Sequence, residues 1–92
     1  MKILKTQSEI QSWLDDNEGK SVGFTPTMGT LHQGHISLVK KANLENDLSL
    51  VSIFINPAQF NNSSDLENYP RNLEKDLSQL EQVNTDAVFI PS

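Results

Sequence analysis

Apolar residues recur at helical spacing in three stretches of the chain. The first stretch follows Thr6 and Glu9, which have the spacing of a capping box, in which each side chain bonds a backbone amide at the start of a helix. Its apolar residues, at i, i+3 and i+4, are Ile10, Trp13 and Leu14. The pattern predicts an amphipathic helix that ends near residues 17–19.

A second helix is predicted from Gly34 to about Asn46. Its apolar stripe comprises Ile36, Val39 and Ala42, joined by Leu38. A third helix is predicted by the leucines at i, i+4 and i+7, which are Leu73, Leu77 and Leu80. The charged residues expected on its outer face are Glu74, Lys75, Asp76 and Glu81.

Three short segments have the character of β-strands. Residues 21–25 alternate Val22 and Phe24 with small residues, and Pro26 is expected to stop this strand. Residues 48–55 are almost continuously apolar, which favours a central strand covered on both faces, with its apolar residues in the core. Residues 87–90 predict a third strand, whose outer side is expected to be a free sheet edge.

The order of these elements predicts an α/β fold with a parallel sheet and right-handed crossovers. Residues 56–72 are polar and rich in turn-forming pairs, and they are expected to form a long connection. A doubly wound sheet usually has two such halves and binds its ligand at the carboxyl ends of the strands. We therefore expect residues 1–92 to be the amino-terminal half of such a domain.

The amino-acid composition excludes several classes of partner and site. The 92 residues suffice for one domain, and 12 acidic against 7 basic residues give a net charge of -5. This balance argues against duplex nucleic acid or an anionic membrane as the main partner. The absence of cysteine excludes disulfides and cysteine-ligated zinc. No apolar stretch could span a bilayer or act as a signal peptide, so a cytoplasmic location is expected.

The candidate chemistry lies in residues 25–35, which leave the carboxyl end of the first predicted strand. Both histidines, His32 and His35, stand at the start of the second helix, where free amides and the helix dipole attract phosphate. Gly29 and Gly34 let the backbone approach such a ligand closely. Two alternatives stay open: surface or capping histidines, and a metal site, for which the spacing supplies no clear third ligand.

Three motifs occur in order along the chain. Pro26-Thr-Met-Gly-Thr-Leu-His-Gln-Gly-His35 is similar to the HxGH signature of nucleotidyltransferases. Together with Val51-Ser-Ile-Phe-Ile-Asn-Pro-Ala-Gln-Phe60 and Asp65-Leu-Glu-Asn-Tyr-Pro-Arg71, the chain resembles the amino-terminal part of the pantothenate synthetase family. This implies a Rossmann-like nucleotide-binding domain of the HxGH type, without the second half of that domain and the carboxy-terminal domain.

The resemblance also implies a reaction and its residues. Members of the family join pantoate to β-alanine through a pantoyl-adenylate, with ATP and the Mg²⁺ bound to it, and they are usually homodimers.

By the same resemblance, His35 and His32 are the catalytic candidates. The ATP site would comprise Met28, Gly29, Thr30, Leu31, His32, Gln33, Gly34 and His35. The pantoate and β-alanine sites would comprise Gln59, Pro26, Thr27, Met28, Asn56, Phe60 and Tyr69, with Arg71 as a further candidate. No protein metal site is expected. Another HxGH transferase, or a nucleotide-binding fragment without catalysis, is the alternative.

Gln59 offers a test of the pantoate assignment in the complete enzyme. A side-chain amide both donates and accepts hydrogen bonds, so it can bind a hydroxyl group beside a carboxylate. We expect Gln59→Ala to raise the KM for pantoate strongly and to change the KM for ATP little, as steady-state kinetics would measure. Equal effects on both substrates would contradict the assignment.

Overall fold

The computed structural model describes residues 1–55 and 72–91. In this part of the chain the predicted helices and strands are present, with one additional strand at the amino terminus. In chain order the elements are β1 (Lys2–Leu4), α1 (Gln7–Asp16), β2 (Val22–Thr27), α2 (Gln33–Glu45), β3 (Leu48–Ile53), α3 (Leu73–Gln82) and β4 (Ala87–Phe89). The connection predicted over residues 56–72 lies outside the described residues, except for Asn72.

The four strands form one parallel sheet in the order β1-β4-β3-β2. This confirms the prediction of a parallel α/β fold. The expectation of a free edge beyond β4 was wrong, because β1 pairs with it: Ile90 N–H donates to the Leu4 carbonyl at 2.8 Å and Lys2 N–H to the Asp86 carbonyl at 3.0 Å. Within the described residues the sheet edges are therefore β1 and β2. A three-residue strand such as β1 is too short to show periodicity in the sequence.

Pro26 lies inside β2 and does not stop it, contrary to the prediction. The carbonyl groups of Ser21 and Thr27 accept hydrogen bonds from Leu48 and Phe54, both at 3.0 Å, so the odd-numbered residues of this strand face β3. Pro26 consequently directs its nitrogen away from β3. A proline that donates no hydrogen bond is tolerated there, because the outer side of β2 has no partner among the described residues.

Helices cover the sheet on both faces. On the face of α2 and α3 the buried residues are Leu31, Val39, Val51, Leu80 and Val88. On the face of α1 they are Leu4, Trp13, Leu50 and Ala87. The prediction that β3 is covered on both faces is thus confirmed through Leu50 and Val51.

Three apolar residues of the predicted helix and strand patterns are exposed. Phe24 and Phe54 are 57% and 49% exposed, and both line a surface groove together with Lys5, Thr6 and Gln7 at the start of α1. Leu38 is 56% exposed, since it lies two positions from the buried Ile36 and therefore on the opposite side of α2. The alternation of side chains along the strands was predicted correctly. How far the helices cover each face of the sheet could not be predicted from the spacing of neighbouring residues.

The start of α1 uses half of the predicted capping box. The Thr6 hydroxyl accepts from the backbone N–H of Glu9 at 3.1 Å, as expected. The Glu9 carboxylate, however, accepts from the Thr6 hydroxyl at 3.3 Å and not from its backbone. The C-cap is Asn17, as predicted.

Among the described helices, none has the length and apolar character needed to cross a membrane.

The contact between β2 and α2 depends on Gly23. A Cβ atom there would lie 2.7 Å from the Cβ atom of Ala42 and 2.7 Å from Nδ2 of Asn46. We expect Gly23→Ala to lower the free energy of unfolding by about 1–3 kcal/mol through overpacking, measured by urea denaturation. Ser37→Ala, on the exposed side of α2, is the matched control. A stability of Gly23→Ala equal to that of the control would contradict this packing.

Candidate active site at the carboxyl ends of the strands

A cavity of about 340 Å³ lies at the carboxyl ends of β2, β3 and β4. The loop after β2 forms one side and the start of α3 the other. The residues that line it are Met28, Gly29, Ile53, Phe54, Ile55, Asn72, Leu73, Asp76, Ile90 and Pro91. Parallel strands place the loops that follow them at one edge of the sheet, which is where such folds bind ligands.

The loop from β2 to α2 is fixed by buried side chains. Thr27, buried at the end of β2, donates from its hydroxyl to the Ser52 carbonyl at 2.8 Å and accepts from the Gly29 N–H at 3.2 Å. Gly29 and Thr30 follow in the left-handed region, with φ of 82° and 52°. Leu31 then enters the core. Thr27 and Leu31, both predicted ligand contacts, are thus placed as supports of the loop.

Asp76 of α3 lines the cavity and was not among the candidate residues predicted from the sequence. It was expected on the outer face of the helix, but it is only 3% exposed. Its carboxylate accepts from the backbone N–H groups of Thr30 and Leu31, each at 2.9 Å. The buried stripe of α3 therefore includes Asp76 and Leu80, whereas Leu73 is 43% exposed. The i, i+4 relation of Asp76 to Leu80 is the sequence signal that could have indicated this.

Two histidines cap the start of α2 reciprocally. His32 is the N-cap residue, and its Nδ1 atom accepts from the Gly34 N–H at 3.0 Å. The Nδ1 atom of His35 accepts from the His32 N–H at 3.1 Å. The two ring centroids are 4.1 Å apart. The alternative interpretation, that these histidines are capping residues, is therefore confirmed by these hydrogen bonds. The capping bonds use the Nδ1 atoms, so the Nε2 atoms remain available to bind a ligand.

These bonds determine the tautomer of both rings. A nitrogen atom that accepts a hydrogen bond carries no proton, so in each neutral imidazole the proton is on Nε2. His32 and His35 thus present Nε2–H donors from the first turn of α2. Burial lowers the pKa of His35 below its usual value of 6.5, and the neighbouring His32 lowers it further, whereas the Asp76 carboxylate acts in the opposite direction.

Gly34 is required by this arrangement. A Cβ atom at this position would lie 2.7 Å from Cε1 and 3.0 Å from Nδ1 of His32. Any side chain would therefore displace the ring that caps the helix. Gly29 has a similar constraint, because it combines a positive φ with a Cβ direction that meets Asp76 Oδ2 at 3.2 Å.

The remaining predicted site residues fall into two groups. Met28 lines the cavity, while Pro26, Thr30 and Gln33 are exposed and are not among the residues that line it. The others, Asn56, Gln59, Phe60, Tyr69 and Arg71, lie outside the described residues. Across residues 1–55 and 72–91, no three His, Cys, Asp or Glu side chains are grouped so that they could hold a metal ion.

The fold and the site define a parallel α/β domain of the kind that binds nucleotides beyond the carboxyl ends of its strands. Residues 2–92 match the family model described as pantoate-β-alanine ligase. The chain belongs to the pantoate-β-alanine ligase family.

Relatives and solved structures agree with this assignment. The chain is 59% identical to the pantothenate synthetase of Thermosipho africanus and 51% identical to that of Fervidobacterium nodosum, covering 100% of this chain and 34% of each relative. A pantoate-β-alanine ligase from Francisella tularensis, complexed with "Beta-gamma ATP and Beta-alanine", superposes with a TM-score of 0.92 at 45% identity, covering 100% of this chain and 36% of that one. A pantothenate synthetase from Thermus thermophilus gives 0.90 at 41% identity, with 100% and 32% covered. The chain therefore spans about a third of the length of these proteins.

The lowered pKa of His35 predicts how stability depends on pH. Because the folded pKa lies below the unfolded value of 6.5, the unfolded chain binds the proton more tightly. This contribution to stability is complete above pH 6.5 and is lost as the pH falls from there through the folded pKa. We expect NMR titration to place His35 below 6.5, and urea denaturation to give a falling free energy of unfolding on acidification in this range.

His35→Asn is the matched control for this pH effect. Its Oδ1 atom can replace Nδ1 as the acceptor of the His32 N–H, but it does not titrate. The variant should lose part of the pH dependence that the wild type has between pH 5 and pH 7, a range of about two units around the usual histidine pKa. A measured His35 pKa at or above 6.5 would contradict the expectation that burial and His32 lower it.

Proposed function

We propose that this chain supplies the HxGH side of the active site of an enzyme that condenses pantoate with β-alanine, with release of AMP and pyrophosphate from ATP through a pantoyl-adenylate. The observation that carries the proposal is the pair of imidazole Nε2–H donors at the start of α2, which directly follows the loop that borders the cavity. Membership of the pantoate-β-alanine ligase family supports it. So does the related Francisella tularensis structure, which was obtained with an ATP ligand and β-alanine.

The first step makes few chemical demands on the protein. A carboxylic acid has a pKa near ~4, so pantoate is already ionised at neutral pH and attacks the α-phosphate of ATP without a general base. The carboxylate oxygen forms the new bond to phosphorus, and the bond to the pyrophosphate oxygen breaks. The protein then has to orient the two reactants and stabilise the negative charge that moves to the leaving group.

The histidines suit the second of these tasks. As neutral donors they can bond phosphate oxygens through Nε2–H while Nδ1 keeps the helix cap intact, and the positive end of the α2 dipole adds to the attraction. The backbone N–H groups of Thr30, Leu31, His32 and Gly34 already bond side chains. We therefore assign the phosphate contacts to the two imidazoles, with His35 as the main donor and His32 beside it.

The cavity is the proposed place of the acid. Met28 lines it directly, and Pro26 and Thr27 precede Met28 at the end of β2. Gln59 is the proposed pantoate contact, near the β-alanine position, and Asn56, Phe60, Tyr69 and Arg71 are proposed as pocket or lid residues by resemblance alone. Residues 28–35 are proposed to line the ATP site, and this assignment also rests on the family resemblance.

Mg²⁺ would enter on the phosphates of ATP. Asp76 is the one carboxylate among the described residues that line the cavity, and both of its oxygen atoms accept backbone N–H groups. The bound ion would neutralise part of the phosphate charge.

Three further proposals rest on the family resemblance and on the net charge of -5. They are that the complete enzyme is a homodimer, that it is cytoplasmic, and that it has no nucleic-acid or membrane partner.

A chimera tests the function directly. Residues 1–92 would replace the matching amino-terminal part of the Thermosipho africanus relative, to which they are 59% identical. We expect the chimera to release pyrophosphate with ATP, Mg²⁺, pantoate and β-alanine, and to require pantoate. We expect none from the 92-residue chain alone, because an open half-site lacks the orientation that can lower a barrier by about 7–11 kcal/mol.

Variants of His35 in the chimera separate catalysis from folding. His35→Asn keeps an acceptor for the helix cap but removes the Nε2–H donor, and His35→Ala removes both. Each should lower the rate of adenylate formation by about 10²–10³-fold, as expected for the loss of one donor to developing charge. A folded chimera without pyrophosphate release would refute the proposed function. Activity of His35→Asn within threefold of the wild type would refute the role of the donor.

A further inference from the structure

We propose that Asp76 is a positioning residue that holds the Gly29–Leu31 loop in the conformation that aligns His32 and His35 for the phosphates. The inference rests on the proposed function for its catalytic consequence. The contact itself is a property of the fold and can be tested separately.

The geometry is that of one carboxylate anchoring two consecutive amides. One oxygen, Oδ2, accepts from the Thr30 N–H and the other, Oδ1, from the Leu31 N–H, each at 2.9 Å. Asp76 is 3% exposed, so water competes little for these bonds. Hydrogen bonds to an ionised acceptor are stronger than those between neutral groups. The contact joins residues 45 and 46 positions apart in the chain.

The loop needs such an anchor because its backbone is held in an unfavourable conformation. Gly29 and Thr30 are consecutive residues at φ of 82° and 52°, and Thr30 is not a glycine. A conformation of this kind persists only where surrounding contacts determine it. Leu31 leads directly into His32, the N-cap of α2. A shift of the loop would therefore move the ring that caps the helix.

A carboxylate is the side chain that this position requires. Asparagine has the same shape, but it offers one acceptor and one donor, so its NH₂ group would meet a backbone N–H. A negative charge that lines the cavity proposed for the acid is otherwise unfavourable, because it repels the carboxylate of that acid. The two amides reduce this cost by directing their dipoles at the charge. A positioning role thus explains why an acid stands beside an anion site.

Asp76 also acts on His35 electrostatically. The charged groups that influence the pKa of His35 are His32, which lowers it, and Asp76, which raises it. Removal of the Asp76 charge should consequently lower the pKa of His35 further. This change is a readout that a purely structural contact far from the histidines would not produce.

The first experiment uses the 92-residue protein without any ligand. In the wild type, hydrogen exchange measured by NMR should be slow at the N–H groups of Thr30 and Leu31, although both lie outside helices and strands. In Asp76→Asn both should exchange faster, and the His35 pKa should fall. The matched control is Asp86→Asn, because Asp86 accepts from the Ser49 N–H at 2.8 Å, away from the cavity. Rapid exchange of both amides in the wild type would overturn the proposal even if no variant folds.

The second experiment measures the consequence in the chimera described above. Asp76→Asn should lower kcat/KM for ATP by about tenfold to a hundredfold, since a misplacement of about 1 Å can have an effect of this size. Asp86→Asn should stay within about twofold of the unsubstituted chimera. Unchanged kcat/KM in Asp76→Asn, with a chimera that is active, would overturn the positioning role. An inactive chimera with the expected exchange and titration results would refute the proposed function and leave the anchoring contact supported.

Discussion

Backbone amides that have no partner in a strand or helix ladder need another acceptor, and this requirement organises the carboxyl end of β2. The N–H groups of Gly29, Thr30, Leu31, His32 and Gly34 bond to side chains and not to a strand or helix ladder. Thr27, Asp76, His35 and His32 provide the acceptors. Because three of these four side chains are themselves in or next to the loop, its shape and the placement of its functional groups are set by the same bonds.

The two interpretations of the histidines turn out to be compatible. An imidazole has two nitrogen atoms, and here one completes a helix cap while the other is left as a donor. The cap therefore selects the tautomer of the neutral ring that the proposed chemistry uses. It also explains the spacing of the motif, since the ring of His32 needs the space that Gly34 leaves and the His32 N–H needs an acceptor from the first turn.

Local patterns predicted what local interactions determine. The stripe of Ile36 and Val39 places α2 on the sheet, and the apolar run around Leu50 and Val51 requires cover on both faces, so the parallel topology could be predicted from the sequence. The cavity also lies at the carboxyl ends of the strands, where this topology predicts ligand binding.

What the sequence did not reveal depends on distant partners. The short strand β1 is stabilised by β4, more than 80 residues later in the sequence. The burial of Asp76 depends on a loop 45 positions earlier. The exposure of Phe24 and Phe54 depends on which strands the helices cover, and β2 lies at an edge of the sheet. None of these partners is encoded in the spacing of neighbouring residues.

Pro26 has a consequence for any strand that pairs with the outer side of β2. Such a strand would find backbone donors at Val22 and Phe24 but none at Pro26, because the proline ring occupies that nitrogen atom. The ladder would then lose a bond at the end of the strand that leads into the loop. The missing bond lies at the same end of the sheet as the cavity, so an added strand would be held least firmly beside the loop that carries the histidines.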